Sequence, residues 1–260
     1  MLDRYEGSIL SAPEALARLL GDAWQQPGAG IAVPPELAPA DNDGAYLAQL
    51  ALLRRLGAGI GGWKVGAKSA DGPVQGAPLP QACIHQDGAV LRRDRFPVLG
   101  IELEIMFRFG RDLLPDAAPL TQQAVLDAVA AVGAAVEIVS SRLAGWPDVP
   151  KPLQLADLQN HGALVVGGMV DYDAGLDFLA PQARLEFNGT VVFEGAGANP
   201  AGDPRRLLHW VVEHCRSQGL VLEAGTVITT GSYTGMVFPT GAGVVSGAIA
   251  GLPAIRFEIG

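Results

Sequence analysis

Cysteine is nearly missing from this chain. Cys83 and Cys215 are the only two in 260 residues, and neither sits in a CxxC spacing. That excludes a disulfide framework and fits thiols in a reducing cytosol. Basic clusters are missing too. The net charge is −9 and no more than two Lys/Arg residues are adjacent, so nucleic acid is not an expected partner. No stretch approaches the ~18 uninterrupted apolar residues of a membrane helix. The opening MLDRYEGSILSAPEALARLL lacks the basic-then-apolar order of a secretion signal. We therefore expect a soluble cytoplasmic protein with no membrane attachment. Nucleophile elbows, P-loops and glycine-rich dinucleotide loops after a strand are also lacking.

Charged residues make up 17% of the chain, below the usual ~25%. A large core follows, and with it the expectation of a subunit interface. Glycine and proline account for 53 of 260 residues, about a fifth against a usual ~12%. With no collagen-like period, so many turn formers point to a β-rich fold.

The first 60 residues read as helical and connecting. Leu16, Leu19 and Leu20 recur at helical spacing between Pro13 and Trp24, and Gln26-Pro27-Gly28 stops that run. Tyr46, Leu50, Leu53 and Leu56 mark a second helix from about Asp43. We assign residues 1–60 to an N-terminal helical subdomain and 61–260 to a catalytic domain of short β-runs. Strands are expected at 63–66, 89–91, 100–109, 163–167, 226–230, 243–249 and 254–259, with another around Glu137. A hairpin turns at Asn188-Gly189. Helices are expected from Thr121 to Val132 and from Asp203 to Gln218. Strands and helices do not alternate, which argues against a doubly wound fold and for an α+β class, a β-roll or mixed β-sandwich.

Three carboxylates interrupt apolar strands. Glu102 and Glu104 lie in Ile101-Glu102-Leu103-Glu104-Ile105, and Glu137 lies in Ala134-Ala135-Val136-Glu137-Ile138-Val139. Burying an unpaired charge costs several kcal/mol or more, so a cation should meet them. The strand period of 2 puts Glu102 and Glu104 on one face, about 7 Å apart along the strand. With Glu137 they form an all-oxygen set that suits Mg2+ or Mn2+. The alternative is a set of rim carboxylates paired with Arg108 or Arg142.

Lys64, in Gly61-Gly62-Trp63-Lys64-Val65-Gly66, either holds a carboxylate or enolate or blunts an edge strand. His161, in Asn160-His161-Gly162, is either a proton carrier or a loop residue. Thr229-Thr230-Gly231-Ser232 is either an anion-binding loop or a plain turn.

From about Asp43 to its end the chain resembles the fumarylacetoacetate hydrolase superfamily, in particular its 2-hydroxypenta-2,4-dienoate (2-keto-4-pentenoate) hydratase and 4-oxalocrotonate decarboxylase branch. Gly62-Trp63-Lys64-Val65-Gly66 is similar to the branch's aromatic-Lys-(Ile/Val)-Gly motif. Ile101 to Ile105 is similar to its Glu-x-Glu metal motif, and Val136 to Arg142 to its third-ligand motif. Asn188-Gly189, Glu194-Gly195-Ala196-Gly197 and Thr230-Gly231-Ser232 match in order and spacing.

The resemblance implies a β-roll fold, a homo-oligomer associated with a sister decarboxylase or hydratase, and Mg2+ or Mn2+ on Glu102, Glu104 and Glu137. It implies a small 2-oxo acid substrate and addition of water to a 2-hydroxy-2,4-dienoate during aromatic catabolism. Decarboxylation, C–C bond hydrolysis or an inactive partner subunit are the alternatives. Lys64 and His161 would be catalytic, and Arg142, Thr230, Gly231 and Ser232 would bind substrate. Two departures stand out. The branch's acidic loop residue has no counterpart in Gly76-Ala77-Pro78-Leu79-Pro80-Gln81-Ala82, and His161 occupies a slot where the branch carries serine.

Overall fold

The computed structural model describes residues 10–116 and 118–260. The first nine residues of the expected helical subdomain lie outside that range. Helix α1 (Ala12–Gln25) starts where Glu14 accepts a bond from the Ser11 N–H at 2.9 Å, with Pro13 in its first turn. Helix α2 (Asn42–Leu56) is capped by Asp41, which accepts from the Gly44 N–H at 2.9 Å, and stops at Gly57, whose φ of 61° suits glycine.

Then come strands β1 (Ile60–Ala67), β2 (Val74–Pro80), β3 (Ile84–Gln86), β4 (Val90–Leu91) and β5 (Gly100–Phe109). Short helix α3 (Gln122–Leu126) precedes β6 (Val129–Val139), and α4 (Lys151–Ala156) precedes β7 (His161–Asp171). The chain closes with β8 (Gln182–Phe187), β9 (Thr190–Ala196), α5 (Arg205–Ser217), β10 (Val227–Ser232), β11 (Gly243–Ile249) and β12 (Ile255–Ile259). No helix among the described residues is long and apolar enough to cross a membrane.

Two mixed sheets result. The larger runs β2-β1-β10-β5-β6-β7-β3 and the smaller β4-β12-β11-β8-β9. Ile101, Leu103, Ile105, Phe107 and Phe109 on one face of β5 join the main core with Val245, Ile255 and Phe257 of the smaller sheet. At β11, a Cβ on Gly247 would stand 2.8 Å from Leu103, so glycine lets the two sheets approach. Met106, on the opposite face of β5, packs with Leu79, Ala135 and Leu164. Glu102 and Glu104 share this second face, as the period of 2 requires. The N-terminal helices share a separate core with α4, built on Leu16, Leu20, Leu52, Leu153 and Leu155.

Most expected elements form within a residue or two of their expected bounds. The exceptions are informative. The helix expected to reach Val132 stops at Leu126, because Val129 onward pairs with β5 along almost its whole length. Thr121 does cap it, accepting from the Ala124 N–H at 3.2 Å. The helix expected from Asp203 begins at Arg205, with Pro204 at its N-cap and Asp203 accepting from the Arg205 N–H at 3.0 Å. Strand β2 and helix α4 escaped the sequence pattern because Gly76, Pro78, Pro80 and Pro152 interrupt any clear period, and β3 because it spans three residues.

Candidate metal centre

Pairing of β5 with β6 sets Glu102 directly opposite Glu137, with Glu104 two residues along the same face. One carboxylate oxygen from each lies within 4.8 Å of the other two. Glu104 and Glu137 are 2% and 1% exposed, and Glu102 is partly open to the cavity.

Protein donors fix one oxygen of each buried carboxylate. Oε2 of Glu104 accepts from the Thr229 hydroxyl and from the Gly231 N–H at 2.8 Å. Gly231 has φ +94°, a conformation that aims its N–H inward and that side chains rarely adopt. Oε1 of Glu137 accepts from Lys64 Nζ at 2.5 Å and from His161 Nδ1 at 3.0 Å. No described donor reaches Oε1 of Glu104 or Oε2 of Glu137. This leaves one carboxylate oxygen free on each residue, held by a neighbour that orients the group, as metal ligands usually are.

The charges do not balance. Burial, then the negative Glu137, raises Glu102 to about 7. Burial and both other glutamates raise Glu104 to about 8, against the smaller pull of Thr229 and Lys64. At Glu137 burial also acts upward, but Lys64 and His161 together overcome it and hold the group below its ordinary value. Three carboxylates facing one ammonium need a further cation, and an all-oxygen donor set fits a hard divalent ion.

The cluster opens into a cavity of about 510 Å³. Lys64 reaches it from β1, held by Glu137 and by the Gln159 carbonyl at 3.1 Å. Gln159 sits between Leu158 and Asn160, all three at positive φ (47°, 54° and 59°). Such strained backbone concentrates at functional sites, and here it aims the Gln159 carbonyl at Lys64. Gln75, Asn199 and Lys68 also line the cavity, and sequence alone drew attention to none of them.

Five expected site residues lie outside the cavity or are held by protein partners. His161 is fully buried, touches Glu137 and does not line the cavity. A carboxylate only accepts, so Nδ1 carries the proton, and buried Nε2 has no partner among the described residues. Burial lowers its pKa, so it is held as a neutral donor to Glu137. Arg142 lines a different pocket. Its Nε donates to Asp157 at 2.5 Å and its Nη1 to the His161 carbonyl at 2.6 Å, and its guanidinium stacks 4.2 Å from the Trp24 ring. Thr230 donates to the Ile105 carbonyl at 2.8 Å and is fully buried. Thr229 pairs in register with Met106, so alternation along β10 puts Thr229 on the face of the glutamates and Thr230 on the other. Gly231 lines the cavity but its N–H is committed to Glu104, whereas Ser232 lines the cavity while donating to the Gly235 carbonyl at 2.9 Å.

The chain is 35% identical over 158 residues, 61% of its length, to a 2-keto-4-pentenoate hydratase of Paraburkholderia xenovorans. That match spans 58% of the relative, so it covers only part of the curated protein. It is 28% identical over 220 residues to a 2-hydroxyhexa-2,4-dienoate hydratase of Comamonas testosteroni, covering 80% of this chain and 81% of that one. The fold is close to that of the 4-oxalocrotonate decarboxylase of Pseudomonas putida G7 solved with magnesium and adipate, with a TM-score of 0.83 and 23% identity over 96% of this chain and 99% of that one. The model of the fumarylacetoacetate hydrolase C-terminal domain matches residues 65–259, three quarters of the chain and all of its sheets except the start of β1, and the chain belongs to the fumarylacetoacetate hydrolase family.

Proposed function

We propose that this chain is a divalent-metal-dependent hydro-lyase that adds water to a 2-hydroxy-2,4-dienoate, giving a 4-hydroxy-2-oxo acid in the breakdown of aromatic compounds. The observation that carries this is the uncompensated Glu102–Glu104–Glu137 cluster at the floor of the Lys64 cavity. The three glutamates would hold Mg2+ or Mn2+. When bound, that ion supplies a Lewis acid and a two-point template for the carboxylate and 2-oxo oxygens of the substrate.

The chain's own residues do the rest. Thr229 and Gly231 orient Glu104, and His161 with Lys64 orients Glu137. Beyond the glutamates, Lys64 and Lys68 are the titratable side chains among the described residues lining the cavity. Lys64 lies beside the glutamate cluster, which favours it as the group that stabilises the dienolate charge and moves a proton along it. No acid from the Gly76–Ala82 stretch lines the cavity. Gln75, Asn199 and Ser232 offer polar contacts for substrate or the attacking water. We also read the protein as a cytoplasmic homo-oligomer that associates with a sister decarboxylase or hydratase. Static light scattering at twice the chain's 27.0 kDa or more would support the oligomer, and a monomer would refute it.

Decarboxylation is the second reading, favoured by the likeness to a 4-oxalocrotonate decarboxylase of Pseudomonas sp., 32% identical over 141 residues, 53% of this chain. Incubation with Mg2+ and a 2-hydroxy-2,4-dienoate should give a product heavier by one water. Loss of CO2, or two fragments, would replace hydration by decarboxylation or hydrolysis. Lys64→Met should lower turnover by roughly 10²–10⁴-fold at saturating Mg2+. Unchanged turnover would remove Lys64 from the mechanism.

A further inference from the structure

A second cavity, of about 350 Å³, shares no lining residue with the glutamate cavity. It opens where the end of α1, the segment from β3 to β5 and the start of β7 meet. Three arginines line it, Arg92, Arg95 and Arg142, and no acidic side chain is among the described residues that do. In a chain of net charge −9 this is a local reversal of sign.

The three arginines are not equivalent. Arg142 is neutralised by buried Asp157, and Arg92 by Asp94. Arg95 donates to carbonyls, to Trp24 O at 2.9 Å and Gln25 O at 3.3 Å, and forms no ion pair with an acid among the described residues. Cys83, in the same wall, feels both Arg142 and Arg95, although burial is the larger effect and pushes its thiol up to about 11. The two guanidinium groups therefore act on one volume.

An independent observation points to a ligand. Ser140 lines this cavity and is 2% exposed, yet its Oγ has no hydrogen-bond partner among the described residues. Buried hydroxyls are usually paired, and an orphan marks a place for a missing group. Apart from His85 the remaining walls are mostly apolar, with Trp24 and Phe96 the largest. Gly162 keeps room beside Ser140, since a Cβ there would come within 2.8 Å of the Ile138 carbonyl and 3.1 Å of Ser140 Cβ.

We propose that this cavity binds a small organic carboxylate with an apolar body, anchored by Arg95 and Ser140 and walled by Trp24 and Phe96. One unpaired guanidinium, one hydroxyl and two aromatic walls suit a monoanion with a ring or short alkyl body better than a fully solvated inorganic anion. The cavity contains none of the three glutamates, so its occupant is distinct from the substrate. Arg142 nevertheless joins the two regions, through its bond to the His161 carbonyl and the His161 bond to Glu137.

The test is calorimetric titration of benzoate, and separately of inorganic phosphate, into the whole protein in excess chelator. Chelator keeps the glutamate cavity from drawing a carboxylate through a metal. Benzoate should bind with 1:1 stoichiometry and phosphate at least tenfold more weakly. Arg95→Gln should weaken benzoate by about 10- to 100-fold, the value of a charge-assisted hydrogen bond. Ser140→Ala should weaken it severalfold with an unchanged melting temperature, which keeps the test valid where Arg95→Gln fails to fold. Lys64→Met should leave benzoate binding unchanged. Absence of benzoate binding up to its solubility, phosphate binding as tight as benzoate, an unaltered constant in both cavity variants, or loss of binding in Lys64→Met would each overturn the proposal.

Discussion

Glu137 and Asp157 are both fully enclosed acids with a cationic partner, 2.5 Å away in each case. Their surroundings differ. Asp157 accepts from Arg142 Nε, from the Arg142 N–H at 3.0 Å and from Ser141 Oγ at 3.4 Å, and its single charge meets a single guanidinium. Glu137 shares Lys64 with two more carboxylates, and one of its oxygens receives no described donor. The first network is complete and holds the β6–β7 connection to α4. The second is complete only with another cation. A buried ion pair is therefore no signature of a site by itself, and unmet charge is the better one.

Breaking the complete network should give the largest effect. Asp157→Ala leaves Arg142 buried and unpaired, at a cost of about 3–5 kcal/mol. The drop should be visible as a lower denaturant midpoint. A variant as stable as the parent would show that the two networks are not different in kind.

His161 tests how the incomplete network is held. Its Nδ1 positions Glu137 and it does not line the cavity. His161→Ala should lower Mg2+ affinity by about 10–100-fold, the usual effect of removing a group that orients a metal ligand. His161→Asn, whose amide can replace the Nδ1 donor, should recover most of that loss. The pH profile of turnover should keep both limbs in each variant. Loss of one limb with Mg2+ affinity intact would make His161 a proton carrier instead.

The unmet charge also predicts a pH dependence. Folding raises Glu102 to about 7 and Glu104 to about 8 from an ordinary 4.5. Between those limits the folded metal-free protein binds more protons than the unfolded chain, so its stability falls as pH rises. Below about 6.5 the buried His161, lowered from that value, adds the opposite slope. The clean window is therefore pH 6.5 to 8. Metal-free melting temperature should fall across it, and Mg2+ should restore more at pH 8 than at 6.5, because the ligands must lose their protons to bind. Glu104→Gln should raise the metal-free stability at pH 8 by on the order of 1 kcal/mol and abolish the Mg2+ effect. A melting temperature flat across this window would show that the glutamates ionise as freely as in solution.

The glutamate cluster was legible because carboxylates in apolar strands violate the pattern around them, and the strand period alone placed Glu102 with Glu104. The family was legible in Gly62 to Gly66 and Ile101 to Ile105. The partners of the glutamates were not. Which of Thr229 and Thr230 faces Glu104 is set by the pairing of Thr229 with Met106, a register the sequence does not show. Arg142 follows the Glu137 strand, and sequence cannot show that its side chain turns to Asp157, fifteen residues on. Asp157 and Gln159 lie in the Leu-Ala-Asp-Leu-Gln-Asn stretch before β7, where three left-handed residues follow one another and no periodicity predicts them.

Titration of Mg2+ into the chelator-treated protein, followed by heat, tests the account most directly. The wild-type chain should bind one ion, and Glu102→Gln, Glu104→Gln and Glu137→Gln should each lose most of that affinity, since each removes a charged hard ligand. Undiminished Mg2+ affinity in all three variants would contradict it.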